Sequence, residues 1–279
     1  MSDRRPAVDL HTTLITGASS GIGRATARAL ARPGHRLLLG YATGEDRIRR
    51  IAEELADTSG AEVVPVRADL RDPEAAVDSC MAAVERAGRI DCLVNNAGIN
   101  DRSAADALEL KRADEVFAVN ALAPMALASA VGHHMIRAGV RGSIVNVTSV
   151  HETVPITGGA LYCASKAALG MVTKVLALEF GRHGIRVNSV APGETATAMN
   201  GVHDEDTYRE ISRPDIPLGR PAGAEEIASL IAYLAGPHSG YLTGASVLAD
   251  GGLALTAAEA NARHAFTTVP ASPRENPPA

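Results

Sequence analysis

Seven short runs rich in β-branched and apolar residues recur along the chain, with longer helix-like stretches between them: Thr12–Thr16, Arg36–Tyr41, Ala61–Val66, Asp91–Asn95, Ser143–Thr148, Arg186–Val190 and Ser246–Ala249. This alternation constrains the fold more than any other feature. Runs such as Leu37-Leu38-Leu39 and Ile144-Val145-Asn146-Val147 are apolar almost throughout, which suits strands buried on both faces. Helices bridging such strands make βαβ crossovers and a parallel sheet. The expected fold class is therefore α/β, a single domain with a doubly wound, seven-stranded parallel sheet flanked by helices. The domain is expected over residues 12–255, after an extension over 1–11 and before a tail over 256–279 whose end, from Pro270, is too rich in proline for a packed element. Residues 193–222 break the rhythm with Gly193, Pro214, Pro217, Gly219 and Pro221, and long loops of this kind often lie over a site. No internal repeat is evident.

Composition narrows the function classes. With 46% hydrophobic and 21% charged residues in 279, the chain has the balance of a folded globular domain. A formal charge of -5 offers no basic footprint, so nucleic acid is not an expected partner. No stretch approaches roughly 18 uninterrupted apolar residues, and Met1-Ser2-Asp3-Arg4-Arg5-Pro6 leads into no signal-like apolar block. The expectation is a cytoplasmic protein that does not enter a membrane. Cys80, Cys92 and Cys163 are odd in number and lack metal-type spacing, as reduced thiols would, and no metal site is expected. Cys163 reads as a packing residue.

Directly after the first run comes Thr16-Gly17-Ala18-Ser19-Ser20-Gly21-Ile22-Gly23, followed by the alanine-rich stretch Arg24–Ala31. Strand, glycine turn and helix in this order suit a phosphate: glycines let the backbone approach it, and the unpaired N–H groups at a helix start favour negative charge. The spacing is GxxxGxG rather than the commoner GxGxxG.

Tyr162 and Lys166 stand four positions apart in a helix-like run, so they share one face. A phenol is a poor base at neutral pH, and a neighbouring ammonium favours the phenolate. Alone, the pair would be an ordinary amphipathic tyrosine beside a solvated lysine. Ser149 lies thirteen positions before Tyr162, just past the strand Ser143–Thr148, where parallel sheets place their ligands. Asn95-Asn96-Ala97-Gly98 closes another strand, and Asn120 sits in Phe117–Leu122; a neutral amide there suits a held water or a backbone kink.

Together these residues resemble the short-chain dehydrogenase/reductase family, whose signatures TGxxxGIG, NNAG, Asn, Ser and YxxxK occur here in order as Thr16–Gly23, Asn95–Gly98, Asn120, Ser149 and Tyr162–Lys166. The resemblance spans about Thr12 to Gly252. It implies a Rossmann-type fold, an NAD(P)-dependent oxidoreductase and a catalytic tetrad of Asn120, Ser149, Tyr162 and Lys166. In that tetrad Tyr162 is the acid/base, Lys166 lowers its pKa and binds the nicotinamide ribose, Ser149 orients the carbonyl, and Asn120 helps a water relay protons to Lys166. The resemblance also implies cofactor contacts from Gly17, Ser19, Ser20, Gly21, Ile22 and Gly23, from Asp69 and Leu70 beside the adenine, from Asn96, Ala97 and Gly98, and from Pro192, Gly193, Thr195 and Thr197 beside the carboxamide. At the end of the second strand an acidic residue would bind ribose hydroxyls and repel a 2′-phosphate. Tyr41 stands there as a further expected cofactor contact, followed by Ala42 and Thr43, so NADP(H) is favoured over NAD(H), with Arg24 a candidate countercharge.

The expected substrate is a small carbonyl or alcohol compound, read by the loops Asn100–Ser103, His151–Gly159 and 194–215. Ser149–Pro155 resembles sugar dehydrogenases of the family and the whole chain its 3-oxoacyl reductases; His151 and Glu152 are candidates for hydroxyl contacts or for plain surface residues. The alternative is a catalytically silent dinucleotide-binding sensor or scaffold. Family resemblance further implies a homotetramer or homodimer.

Overall fold

A computed structural model describes residues 10–202 and 205–256; most of the expected N-terminal extension and nearly all of the C-terminal tail lie outside them. The strands are β1 (His11–Ile15), β2 (His35–Tyr41), β3 (Glu62–Arg67), β4 (Cys92–Asn95), β5 (Ser143–Val147), β6 (Arg186–Pro192) and β7 (Ser246–Ala249). They pair in parallel throughout, in the order β3-β2-β1-β4-β5-β6-β7. The seven runs of the sequence thus become one sheet, with ends shifted by a residue or two. Asp91 lies just before β4, its carboxylate accepting the Thr12 N–H at 2.9 Å. Pro65, which has no N–H to give, falls in β3, an edge strand.

The helices are α1 (Gly21–Leu30), α2 (Glu45–Ser59), α3 (Pro73–Ala87), α4 (Leu110–Phe117), α5 (Ala123–Ala138), α6 (Ala160–Gly181) and α7 (Ala224–Ala235). They cover both faces of the sheet and make two cores. One gathers Leu14, Leu93, Ile144, Leu127, Met135 and Phe180 under α3, α5 and α6; the other gathers Ile15, Leu37, Leu39, Val94, Val145 and Ile231 under α1, α2 and α7. Strand residues alternate between the two, so both faces are dry, as the near-continuous apolar runs require.

Two helical stretches, Leu110–Ala138 and Ala160–Gly181, have the length and mean hydropathy (1.5 and 1.3) to cross a membrane, although charges such as Lys111, Arg112, Lys166 and Lys174 interrupt both. Here each lays a buried face on the sheet: Leu127, Val131 and Met135 from one, Leu169, Leu176 and Phe180 from the other. Between α4 and α5 the chain passes through one π-helical turn, Ala118–Leu122, centred on Asn120.

The sheet order reverses between β1 and β4, and a crevice opens at the carboxyl ends of the strands there. The connection of residues 193–222 passes over this end and holds the short 3₁₀ turns Ala198–Asn200 and Glu205–Glu210.

Candidate active site

The turn after β1 is built for close backbone approach. Gly17 has φ +66°, and a Cβ there would lie 2.9 Å from the Ala97 Cα, so no side chain fits. Asn96 clamps this turn: its Nδ2 donates to the carbonyls of Thr16 (2.9 Å) and Gly17 (3.2 Å), while the Thr16 hydroxyl accepts from the N–H groups of Asn96 and Ala97. Gly23 serves packing, because a Cβ there would overlap the Gly17 carbonyl and the Asn96 amide. Ser20 precedes α1 without a side-chain cap, leaving the first N–H groups of the helix for an anion.

These elements border a cleft of about 450 Å³. Of the expected cofactor residues, Gly17, Ser19, Ser20, Gly21, Ile22, Asp69, Leu70, Asn96, Ala97, Gly98, Tyr162, Lys166, Pro192, Gly193, Thr195 and Thr197 all line it. The size, the glycine cradle and the free helix start fit a dinucleotide. Gly23 and Tyr41 do not line the cleft. As the last residue of β2, Tyr41 turns its ring into the second core, and Gly40, Ala42 and Thr43 border the cleft beside it. Sequence reading had also passed over Val119, Val147 and Met199, which carry no motif of their own and reach the cleft only by position in the fold.

Ser149 and Tyr162 line the cleft and also a second cavity of about 290 Å³, bordered by Asn100, Arg102, His151, Ile156, Glu194 and Asn200 among others. Ser149 leaves the end of β5, and its Oγ accepts from the His151 N–H at 3.2 Å. Tyr162 is buried, and that burial pushes its phenol above the ordinary tyrosine value; the Ser149 hydrogen bond and the Arg102 charge pull it back. Lys166, 4% exposed, donates to the Val147 carbonyl at 2.9 Å. Burial pushes its ammonium down to about 8, with Glu152 opposing. Its Nζ lies 5.9 Å from the Tyr162 ring centroid. Burial sets the direction for both groups, because desolvation penalises the charged form of each.

Asn120 is fully buried and does not line the cleft. Its Oδ1 accepts the Ile99 N–H, and its Nδ2 donates to the Ile99 carbonyl and the Ser165 hydroxyl, each at 2.9–3.1 Å. The amide ties the π turn to the segment after β4. It does face the site's rear wall: a Cβ on Gly98 would lie 3.3 Å from both Asn120 Oδ1 and Lys166 Nζ. His151 borders the second cavity, its Nδ1 hydrogen-bonded to the Val154 carbonyl at 2.8 Å. A carbonyl only accepts, so Nδ1 carries the hydrogen and the neutral ring keeps Nε2 as an acceptor. Glu152 borders neither cavity; its Oε1 accepts from Ser246 at 2.6 Å. Cys163 lines neither cavity as well.

Comparison with known proteins agrees with this geometry. A family model described as enoyl-(acyl carrier protein) reductase (adh_short_C2) matches residues 17–254. An oxidoreductase of Escherichia coli, YohF, is 37% identical over 88% of this chain and 96% of its own length. Glucose 1-dehydrogenase of Gluconobacter oxydans is 36% identical over 87% and 91%. The crystal structure of acetoin dehydrogenase from Enterobacter cloacae superposes with a TM-score of 0.82 at 32% identity, covering 98% of this chain and 100% of that one. With the glycine turn, the parallel sheet and the buried tyrosine–lysine pair in one crevice, the chain belongs to the short-chain dehydrogenase/reductase family of NAD(P)-dependent oxidoreductases.

Proposed function

We propose that Tyr162 is the acid/base of a reversible carbonyl–alcohol interconversion. One observation carries this reading: Ser149 and Tyr162 border both the dinucleotide-sized cleft and the adjoining cavity, so a carbonyl held between them is within reach of both chambers. The nicotinamide, when bound, supplies the hydride. Ser149 donates a hydrogen bond that holds the carbonyl oxygen, and Tyr162 gives that oxygen its proton. Lys166, anchored on Val147, holds the tyrosine's side of the cleft and supplies the donor facing the ribose. Asn120 acts through Ile99 and Ser165 as a positioning residue. The residues bordering the cleft are the cofactor contacts, with 193–222 as the cover.

NADP(H) is the preferred dinucleotide, because Ala42 and Thr43 border the cleft after β2 where an acid would repel the 2′-phosphate. The substrate is a small carbonyl or hydroxyl compound, as the names of the glucose and acetoin relatives suggest for them. Assembly is as a homotetramer or homodimer in the cytoplasm; the outward Met171, Val175 and Leu178 of α6 support a packed face there.

Tyr162→Phe should cut turnover by at least about a hundredfold, since positioned acid/base groups contribute about 10²–10⁴. Fluorescence titration of the same variant should give an unchanged affinity for NADPH, tighter than for NADH. Turnover close to the parent's would overturn the assignment, and tighter NADH binding would reverse the cofactor preference.

A further inference from the structure

The second cavity has an unbalanced charge. Glu194 is the one carboxylate among the described residues that border it, and both its oxygens accept from Arg213 Nε at 2.7 and 3.0 Å. Asp101, next to the cavity in sequence, accepts from Arg112 Nε at 3.0 Å and from Ser103 at 3.2 Å. Each of these two acids is therefore neutralised by an arginine, Arg213 from farther along the same connection and Arg112 from α4. Arg102 is the exception among the local arginines. Its guanidinium has no carboxylate partner among the described residues; its hydrogen bonding there is one long contact, 3.4 Å to the Asp101 carbonyl.

Its placement is specific. The Arg102 Cζ stands 6.0 Å from the centroid of the Tyr162 ring, and a Cβ on Gly159 would lie 3.1 Å from its Nη1. The loop before α6 thus leaves room for the guanidinium to lean toward the tyrosine. The charge also reaches the phenol, which it pulls toward the ionised form. A group seated between them feels the same field.

We infer that Arg102 selects a substrate carrying a carboxylate close to the reacting carbonyl, so that the natural substrate class is a short oxo acid and its hydroxy-acid product. The inference rests on Tyr162 as the proton donor. In the step, the carbonyl carbon gains a hydride from NAD(P)H, which is oxidised, and the oxygen gains the Tyr162 proton; the carboxylate stays ionised against the guanidinium. An arginine fork suits a carboxylate because it offers two parallel N–H donors, and such charge-assisted bonds are about twice as strong as neutral ones.

The test compares matched pairs, 3-oxobutanoate with its methyl ester and 4-oxopentanoate with its methyl ester, plus neutral 3-hydroxybutan-2-one, in the parent, Arg102→Gln and Arg102→Lys. In the parent, kcat/KM for at least one acid should exceed that of its ester by about tenfold or more. Arg102→Gln should bring this ratio near one, and Arg102→Lys should keep part of it. Using the ratio removes any common effect of the substitution on Tyr162. Esters or the neutral ketone reduced as well as the acids by the parent, or a ratio untouched in Arg102→Gln, would overturn the charge selection alone. No reduction of any compound by the parent would instead sink the assignment of Tyr162 and this inference with it.

Discussion

Tyr162 and Lys166 lie one helical turn apart, yet the cleft moves both toward their neutral forms: the phenol upward and the ammonium down to about 8. A protonated tyrosine at neutral pH is ready to give a proton to a carbonyl, whereas alcohol oxidation needs the phenolate. The direction of the shift therefore separates the two reactions. For alcohol oxidation, kcat/KM should climb by about tenfold per pH unit above neutrality until the phenol ionises. For carbonyl reduction it should stay level through neutrality and fall only on the alkaline side. Initial rates from pH 6 to 10 check this; an oxidation profile already level at pH 7 would show that the phenol is lowered, not raised. Sequence spacing placed the two residues together but carried no information on burial, and burial decides the sign.

Buried amides hold the elements that present this pair. Asn95 Nδ2 on β4 donates to Asn146 Oδ1 on β5 (2.9 Å) and to the Pro124 carbonyl on α5 (3.0 Å). Asn146 Nδ2 donates to Thr173 on α6 (2.9 Å). Two strands and two helices are thus joined in the first core, one residue away from the carbonyl of Val147 that anchors Lys166. Asn146→Leu fills the volume but leaves the Asn95 amide short of an acceptor. A buried group left unsatisfied costs about 1–3 kcal/mol, so the melting temperature should drop by several degrees, about 2–4 °C per kcal/mol at this size. Calorimetry measures it, and an unchanged Tm would mean the network contributes nothing net. An Asn within Ile144–Val147 looks like a flaw in an apolar strand when read alone. Its partners come from segments 51 and 27 residues away, beyond any local pattern. The same holds for Asn120, whose kink was foreseeable but whose link to Ile99 was not.

At the level of the whole molecule, the strand runs and the glycine turn were legible because they are local and periodic, and the order of strands follows from handed crossovers. The two-sided core left a plain signature, whereas the walls of the second cavity did not. Asn100, His151, Glu194 and Leu253 come from the segments after four different strands, and only the closed fold brings them to one place. One further property belongs to the entire chain. Its cationic residues are nearly all arginines, with Lys111, Lys166 and Lys174 the sole lysines. With its ammonium pushed down to about 8 by burial, Lys166 carries far more free amine in mildly alkaline buffer than a lysine of ordinary pKa. Mild acylation in such buffer, followed by peptide mass spectrometry, should therefore mark Lys166 ahead of its two counterparts, with dinucleotide suppressing the label. Preferential marking of Lys111 or Lys174 would show that the cleft shields the amine more than burial activates it. The enzyme's scarcity of lysine thus turns the buried amine of its cleft into a natural reporter of occupancy.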